Sequence, residues 1–196
     1  NSTGVIKITS RQTLQLHGIL KGKIKPTIKA FSEAKLDSIA TCGDINRNVL
    51  CSSHPKQSPI HAQIFAYADK ISEMLMPKTK AYYEIWLDDE VLVDKKEEAD
   101  PLYQNRYLPR KFKIAIAIPP NNAGDVIAND VGLIAVIEND QLKCFNIAIG
   151  GGLSTTHGNH ETYGRLAPVI GYPDRRENIM KAVYQFDTIT PTYGHA

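Results

Sequence analysis

Two stretches of this chain leave little freedom in how it can fold. KFKIAIAI, residues 111–118, places Phe112, Ile114, Ile116 and Ile118 on one side of an extended backbone and Lys111, Lys113, Ala115 and Ala117 on the other, because side chains of a strand alternate between faces. VGLIAVIENDQLKCFNIAIGGG, residues 131–152, then reads as two further strands joined by a turn at Glu138 to Asp140. Three β-rich, apolar segments this close together require a sheet with a buried face.

The remaining segments have to pack around that sheet. Residues 58–77 predict a helix. Ser58 is a good N-cap and Pro59 suits the first helical position. Ile60, Ile64, Tyr67, Ile71 and Leu75 form an apolar stripe at helical spacing, and Pro77 ends it. Residues 24–35 predict a short helix with Pro26 in its first turn, and DRRENIMKAVYQFD, residues 174–187, a closing amphipathic helix. YYEIWLDDEVLV reads as a hairpin turning near Asp88 and Asp89, and residues 94–101 as a charged surface loop. VIKITSRQTLQLH, residues 5–17, alternates and reads as one long strand ended by Gly18. Ile6, Ile8, Leu14 and Leu16 lie behind, and Lys7, Thr9, Arg11, Thr13, Gln15 and His17 in front. Helices and strands mix without strict alternation, which argues for an α+β fold, or mixed α/β layers.

At 196 residues the chain is long enough for one real core, or for one domain and part of another. Its net charge of +2 gives no reason to expect a nucleic-acid or membrane partner. No apolar run approaches the roughly 18 residues of a membrane helix. Cys42, Cys51 and Cys144 are odd in number and widely spaced, which fits a reducing compartment, and a cytoplasmic protein is the expectation.

Four groups of residues carry candidate chemistry. The row from Lys7 to His17 contains donors and no acid. A solvated outer face usually mixes both charges, so the row is suited to something anionic and flat. Lys111 and Lys113 project the same way, roughly 7 Å apart by strand rise, and a shared anion would relieve their repulsion. In TCGDINRNVLCSSHP, residues 41–55, Arg47 stands between Asn46 and Asn48 in what reads as a polar loop. A guanidinium flanked by amides suits an oxyanion. Gly150, Gly151 and Gly152 follow a strand and would let a flat ligand or a phosphate approach the backbone, although neither a dinucleotide fingerprint nor a P-loop is present. Each group also has a plainer reading as a surface, a carbonyl cap or a turn. The cysteines match no zinc or cluster spacing and read as buried thiols. His157 and His160 have no evident third ligand, so no metal site is expected.

Taken in order, TSRQTLQLHG (9–18), GDINRNVLCSSHP (43–55), LPRKFKIAI (108–116) and FNIAIGGGLSTTHGN (145–159) resemble the haemoprotein subunit of assimilatory sulfite reductase, of the sirohaem nitrite and sulfite reductase family. The resemblance covers nearly the whole chain. It implies six-electron reduction of sulfite to sulfide at a sirohaem coupled through a cysteine thiolate to a 4Fe-4S cluster. Electrons would come from an NADPH-dependent flavoprotein subunit or a ferredoxin. It matches Arg47, Lys111 and Lys113 to the residues that receive the substrate anion. Lys7, Thr9, Arg11, Thr13, Gln15 and His17, with Asn46, Asn48, Arg110 and Gly150 to Gly152, match the surroundings of the carboxylate-rich macrocycle. Residues 1–40 would be a strand-helix piece of a ferredoxin-like half-domain, and residues 41–196 a sirohaem-binding α/β domain.

The chain also departs from that pattern. The two closely spaced cysteine pairs that hold the cluster are absent, as is an upstream arginine-rich block, and ITPTYGHA stands where the family has a different run. The chain is therefore expected to be part of a longer enzyme, to carry one wall of the site, and to be inactive alone. The alternatives are a sirohaem nitrite reductase, reducing nitrite to ammonia, and a non-catalytic domain that binds a tetrapyrrole or another organic anion.

Overall fold

A computed structural model of the chain describes residues 4–39, 41, 45–78, 86–87, 90–91, 111–153, 155, 158–159 and 161–171. Its centre is a mixed five-stranded sheet. In spatial order it runs β3 (Asn46–Leu50), β6 (Phe112–Ala117), β7 (Val131–Glu138), β8 (Gln141–Ile149) and β9 (Val169–Gly171). The pairs β3–β6 and β6–β7 are parallel, and β7–β8 and β8–β9 are antiparallel. The β7–β8 turn falls where the sequence places it. Asn139 and Asp140 both take positive φ, 50° and 56°, the combination that matches hairpin turn to strand twist.

One face of the sheet carries the main core. Phe112, Ile114, Ile116 and Ile118 of the KFKIAIAI alternation meet Val131, Leu133, Ala135, Phe145 and Ile147 there. Helix α2 (Pro59–Leu75) covers them through Ile64, Ala68, Ile71 and Leu75, with Ile60 and Tyr67 at its margin. Full burial of each such side chain contributes roughly 1.5–3 kcal/mol. The helix starts as predicted: Ser58 Oγ accepts the His61 backbone N–H, and Pro59 occupies its first turn. Ala115 and Ala117 face the other way into a smaller cluster with Leu50 and Val126.

Helix α1 spans Ile24–Glu33. Strands β4 (Trp86–Leu87) and β5 (Glu90–Val91) form the predicted hairpin, with Leu87 opposite Glu90. The charged loop at 94–101, Arg110 and the predicted helix at 174–187 lie outside the described residues.

Two expectations need correction. Residues 5–17 are not one strand but a hairpin, in which β1 (Ile6–Ile8) pairs antiparallel with β2 (Leu14–Leu16). The chain reverses because Gln12 adopts a left-handed φ of 58°. Thr9 and Thr13 close the turn, by a backbone bond of 2.9 Å and by their hydroxyls at 2.7 Å. The apolar side of this hairpin is not a core face, for Ile6, Ile8 and Leu14 are exposed. Second, Asn46-Arg47-Asn48 is not a loop but part of β3. Asn46 pairs with Phe112 and Val49 with Ile114, so Arg47 and Asn48 together stand opposite the single residue Lys113. That is a β-bulge, which locally suspends strand alternation and conceals the strand from a period-two reading.

Candidate functional site

The bulge brings two neighbouring side chains to one cleft. Consecutive strand residues normally point to opposite faces, yet Arg47 and Asn48 both line one cavity of about 910 Å³. Lys113, from the middle of the β6 pairing, and Lys111, just before it, line the same cavity. The hairpin tip reaches it too, with Thr9, Arg11 and Thr13 on its wall, and Lys35 follows from the end of α1. Five cationic residues thus border one concavity, against the acids Asp37 and Asp125.

Arg11 ties the hairpin to the sheet. Its Nε donates to Asn48 Oδ1 at 3.3 Å and its Nη1 to Asn129 Oδ1 at 2.9 Å, while Nη2 reaches the carbonyls of Asn48 and Ile114. Asn48 Nδ2 answers with a 2.6 Å bond to the Arg11 carbonyl, and Gln12 Nε2 donates to the Cys51 carbonyl. Burial pulls the Arg11 pKa down to about 10; the Asp130 carboxylate opposes that shift and the Arg47 charge adds to it. Four of the five guanidinium N–H donors are bonded to neutral oxygens, which leaves its charge unneutralised.

The other sequence candidates separate. Lys7 and Gln15 stand opposite each other on the exposed arms of the hairpin, away from its tip. His17 is half-buried, and its backbone N–H donates to Val5. Neither these three nor Asn46, which is buried beside β6, lines the cavity. The reason is the hairpin: folding the supposed row in half gathers only its middle at the cleft.

Of the three glycines, Gly151 alone is closely packed. Gly150 holds a φ of +88°. At Gly151 a Cβ would fall 2.3 Å from the Ile127 carbonyl oxygen and 2.6 Å from that of Asn129, so the turn needs glycine against its own protein. Gly152 bridges Arg165 and has open space around it. Leu153, and not the glycines, lines the cavity.

The residues that the sequence reading passed over lie in AND, 128–130. Asn129 is buried; its amide holds Arg11 on one side and donates to the Gly124 and Asp125 carbonyls on the other. Asp130 Oδ2 accepts the Lys113 backbone N–H at 2.8 Å. The available signal was an Asn-Asp pair immediately before an apolar strand. Of the cysteines, Cys51 and Cys144 are buried and free, and burial raises the Cys51 thiol pKa.

The chain has counterparts among known proteins. A protein-family model described as the nitrite and sulphite reductase 4Fe-4S domain matches residues 66–193. The chain is 60% identical over 195 residues to the sulfite reductase (NADPH) hemoprotein beta-component of Leptospira biflexa, which covers all of this chain and 35% of the relative. The protein of the same name from Lysinibacillus sphaericus is 47% identical over 195 residues, covering 98% of this chain and 34% of the relative. The chain thus spans about a third of the length of the curated relatives it matches. The solved structure of the Mycobacterium tuberculosis NirA protein superposes with a TM-score of 0.61 at 21% identity, over 96% of this chain and 29% of that one, a likeness of fold. A family match over more than half of the residues, joined to a mixed α+β fold of the same kind, places this chain in the nitrite and sulphite reductase 4Fe-4S domain family.

Proposed function

We propose that the protein containing this chain reduces sulfite to sulfide, and that this chain supplies the cationic wall of the active site. One observation carries the proposal: Arg47, Lys111 and Lys113 border the same cleft as the hairpin tip bearing Thr9, Arg11 and Thr13. A dianion bordered by several cations in a half-enclosed site gains charge-assisted hydrogen bonds that water would otherwise supply. The names of the relatives support sulfite over nitrite as substrate and NADPH over ferredoxin as the electron source; a flavoprotein subunit would pass the electrons on. The cysteine pattern supports a cytoplasmic setting. Among the described residues, no helix is long and apolar enough to cross a membrane.

The residues fit the rim of a sirohaem. Carboxylates around a tetrapyrrole require donors on a concave surface, and the cleft offers Thr9, Arg11, Thr13, Lys35 and Asn48. When bound, the macrocycle supplies the iron at which electrons enter the substrate. The chain's own part is to orient the oxyanion with Arg47, to hold Lys111 and Lys113 as proton donors beside its oxygens, and to stabilise the charge that develops there. The cluster is a different case. Cys51 donates to the Ser52 carbonyl from a buried position and Cys144 lies within β8; neither fits a cluster ligand, and the described residues hold no ligand group. We further propose that residues 1–40 form part of a ferredoxin-like half-domain docked through Arg11, and residues 41–196 the domain that carries the cleft.

The test is reduction of sulfite by the full-length protein with a reduced dye, scored by sulfide formed. Sulfide production that Arg47→Ala lowers at least tenfold supports the reading. Ammonia from nitrite with no sulfide from sulfite defeats it in favour of nitrite reduction.

A further inference from the structure

Gathering Arg11, Arg47, Lys111 and Lys113 around one cleft sets like charges against each other, and a site built only of cations would retain any anion that entered it. Besides Asp37 and Asp125 on the cleft wall, one further carboxylate is built in just behind the cations. Asp130 precedes β7, whose Val131 pairs with Ile114 of β6, so Asp130 stands beside Lys113 in the parallel ladder. Its Oδ2 accepts the Lys113 backbone N–H at 2.8 Å, and its own carbonyl accepts the Gly150 N–H at 2.9 Å. Next to it, Asn129 holds Arg11, which also reaches the Ile114 carbonyl. Asp130 is half-buried and does not itself line the cavity. Bonds at both its carboxylate and its carbonyl hold it behind the cations and out of the cleft.

We propose that Asp130 sets the anion affinity of the cleft: its fixed carboxylate offsets part of the positive field of Arg11, Arg47 and Lys113, so that a small oxyanion is held but also released. The inference rests on the reading of this cleft as an oxyanion site. Asp130 is a positioning residue and not a catalytic one, because it acts on the anion only through the cations in front of it. The opposing influences of Asp130 and Arg47 on the Arg11 proton are the same field seen from another group. A field of this kind acts through a partly desolvated medium, where a single charge several ångströms away still shifts binding measurably.

Asp130→Asn isolates the charge, since an amide oxygen can accept the same Lys113 N–H. Sulfate is titrated calorimetrically into the full-length protein and its variants at low and at high ionic strength. Asp130→Asn is expected to lower the sulfate dissociation constant roughly threefold to tenfold at low salt, with the gain shrinking at high salt. It should lower the sulfite KM by a similar factor and change kcat less. Asp130→Ser, which keeps an oxygen acceptor without the charge, should tighten sulfate binding too, and decides the matter if Asp130→Asn does not fold. Glu138→Gln removes an exposed acid at the far end of β7 and should leave the sulfate titration unchanged. A purely structural Asp130 predicts altered stability and unaltered binding in the folded variants, and that result overturns the inference. Arg47→Ala separates the two claims. If it weakens sulfate binding while the Asp130 variants fail to tighten it, the inference alone is wrong. If it leaves sulfate binding intact, the anion lies elsewhere, and both the inference and the reading of the cleft fall.

Discussion

Lys113 is where the proposed chemistry is most exposed to test. Lys113→Met keeps most of the side chain's length and removes its charge. A charge-assisted hydrogen bond to an anion contributes roughly 1.5–3 kcal/mol, so sulfite turnover in the full-length enzyme should fall about tenfold to a hundredfold. The visible spectrum should barely change, because the proposed rim of the macrocycle is formed by other residues; a spectrum lost along with activity would assign Lys113 to cofactor retention instead. Arg11→Ala should do the reverse. It removes the side-chain bonds to Asn48, Asn129 and Ile114 and leaves the tip held only through the Arg11 carbonyl and Gln12, so cofactor content should drop more than sulfite affinity; full cofactor content in the purified variant would refute that. Cys51 gives a pH dependence of definite sign. Burial raises its thiol above the ordinary 9.0, so the folded chain keeps a proton that the unfolded chain has lost, and stability declines as pH rises past about 9. In Cys51→Ala the fall in stability between about pH 8 and about pH 10 should be smaller, as followed by thermal unfolding.

At the scale of elements, the turn between β7 and β8 and the close approach at Gly132 set contrasting expectations. Asn139 and Asp140 both carry positive φ, which costs a non-glycine residue energy. Asp140→Gly should therefore stabilise the protein by about 0.5–1 kcal/mol in urea denaturation; a loss of stability would mean that Asp140 makes compensating bonds in the turn. Gly132 is the opposite case. A Cβ there would stand 2.6 Å from the Val126 carbonyl oxygen and 2.8 Å from its Cγ2, and Gly132→Ala should cost about 1–3 kcal/mol by overpacking. The turn at 126–129 bears Asn129, so the same variant should also loosen Arg11 and weaken sulfate binding. The helix cap is simpler: Ser58→Ala removes the acceptor of the His61 N–H and should cost about 1 kcal/mol.

For the whole molecule, the chain spans about a third of its relatives' length, and its hairpin leaves apolar surface exposed. Ile8 is 83% exposed, and Ile6 and Leu14 are each 60% exposed on the same hairpin, a patch that soluble proteins seldom leave uncovered. The cleft offers cations but no cluster ligand set among the described residues. The isolated segment should therefore be colourless, bind a hydrophobic dye through the hairpin, and form no sulfide from sulfite. Sirohaem-like absorption with sulfite-dependent oxidation of a reduced dye would show that the segment suffices.

Sequence alone determined the elements whose side chains keep a strict period: β6, the β7–β8 hairpin and helix α2 with its Ser58-Pro59 start. Burial on one face writes that period into the residues themselves. It also exposed the cations of the cleft, because Arg47, Lys111 and Lys113 stand out chemically wherever the backbone takes them. Tertiary structure alone decided the rest. The bulge opposite Lys113 turns Arg47 and Asn48 to one side, and a bulge erases the alternation by which a strand is recognised. The reversal at Gln12 folds an apparent polar row into a hairpin whose tip alone meets the cleft, since one positive φ outweighs thirteen residues of alternation. Asn129 and Asp130 gain their roles from neighbours more than a hundred and about seventeen positions away. Contacts of that kind are made by the docking of the hairpin tip and by the packing of β6 against β7, and leave no local trace in the chain.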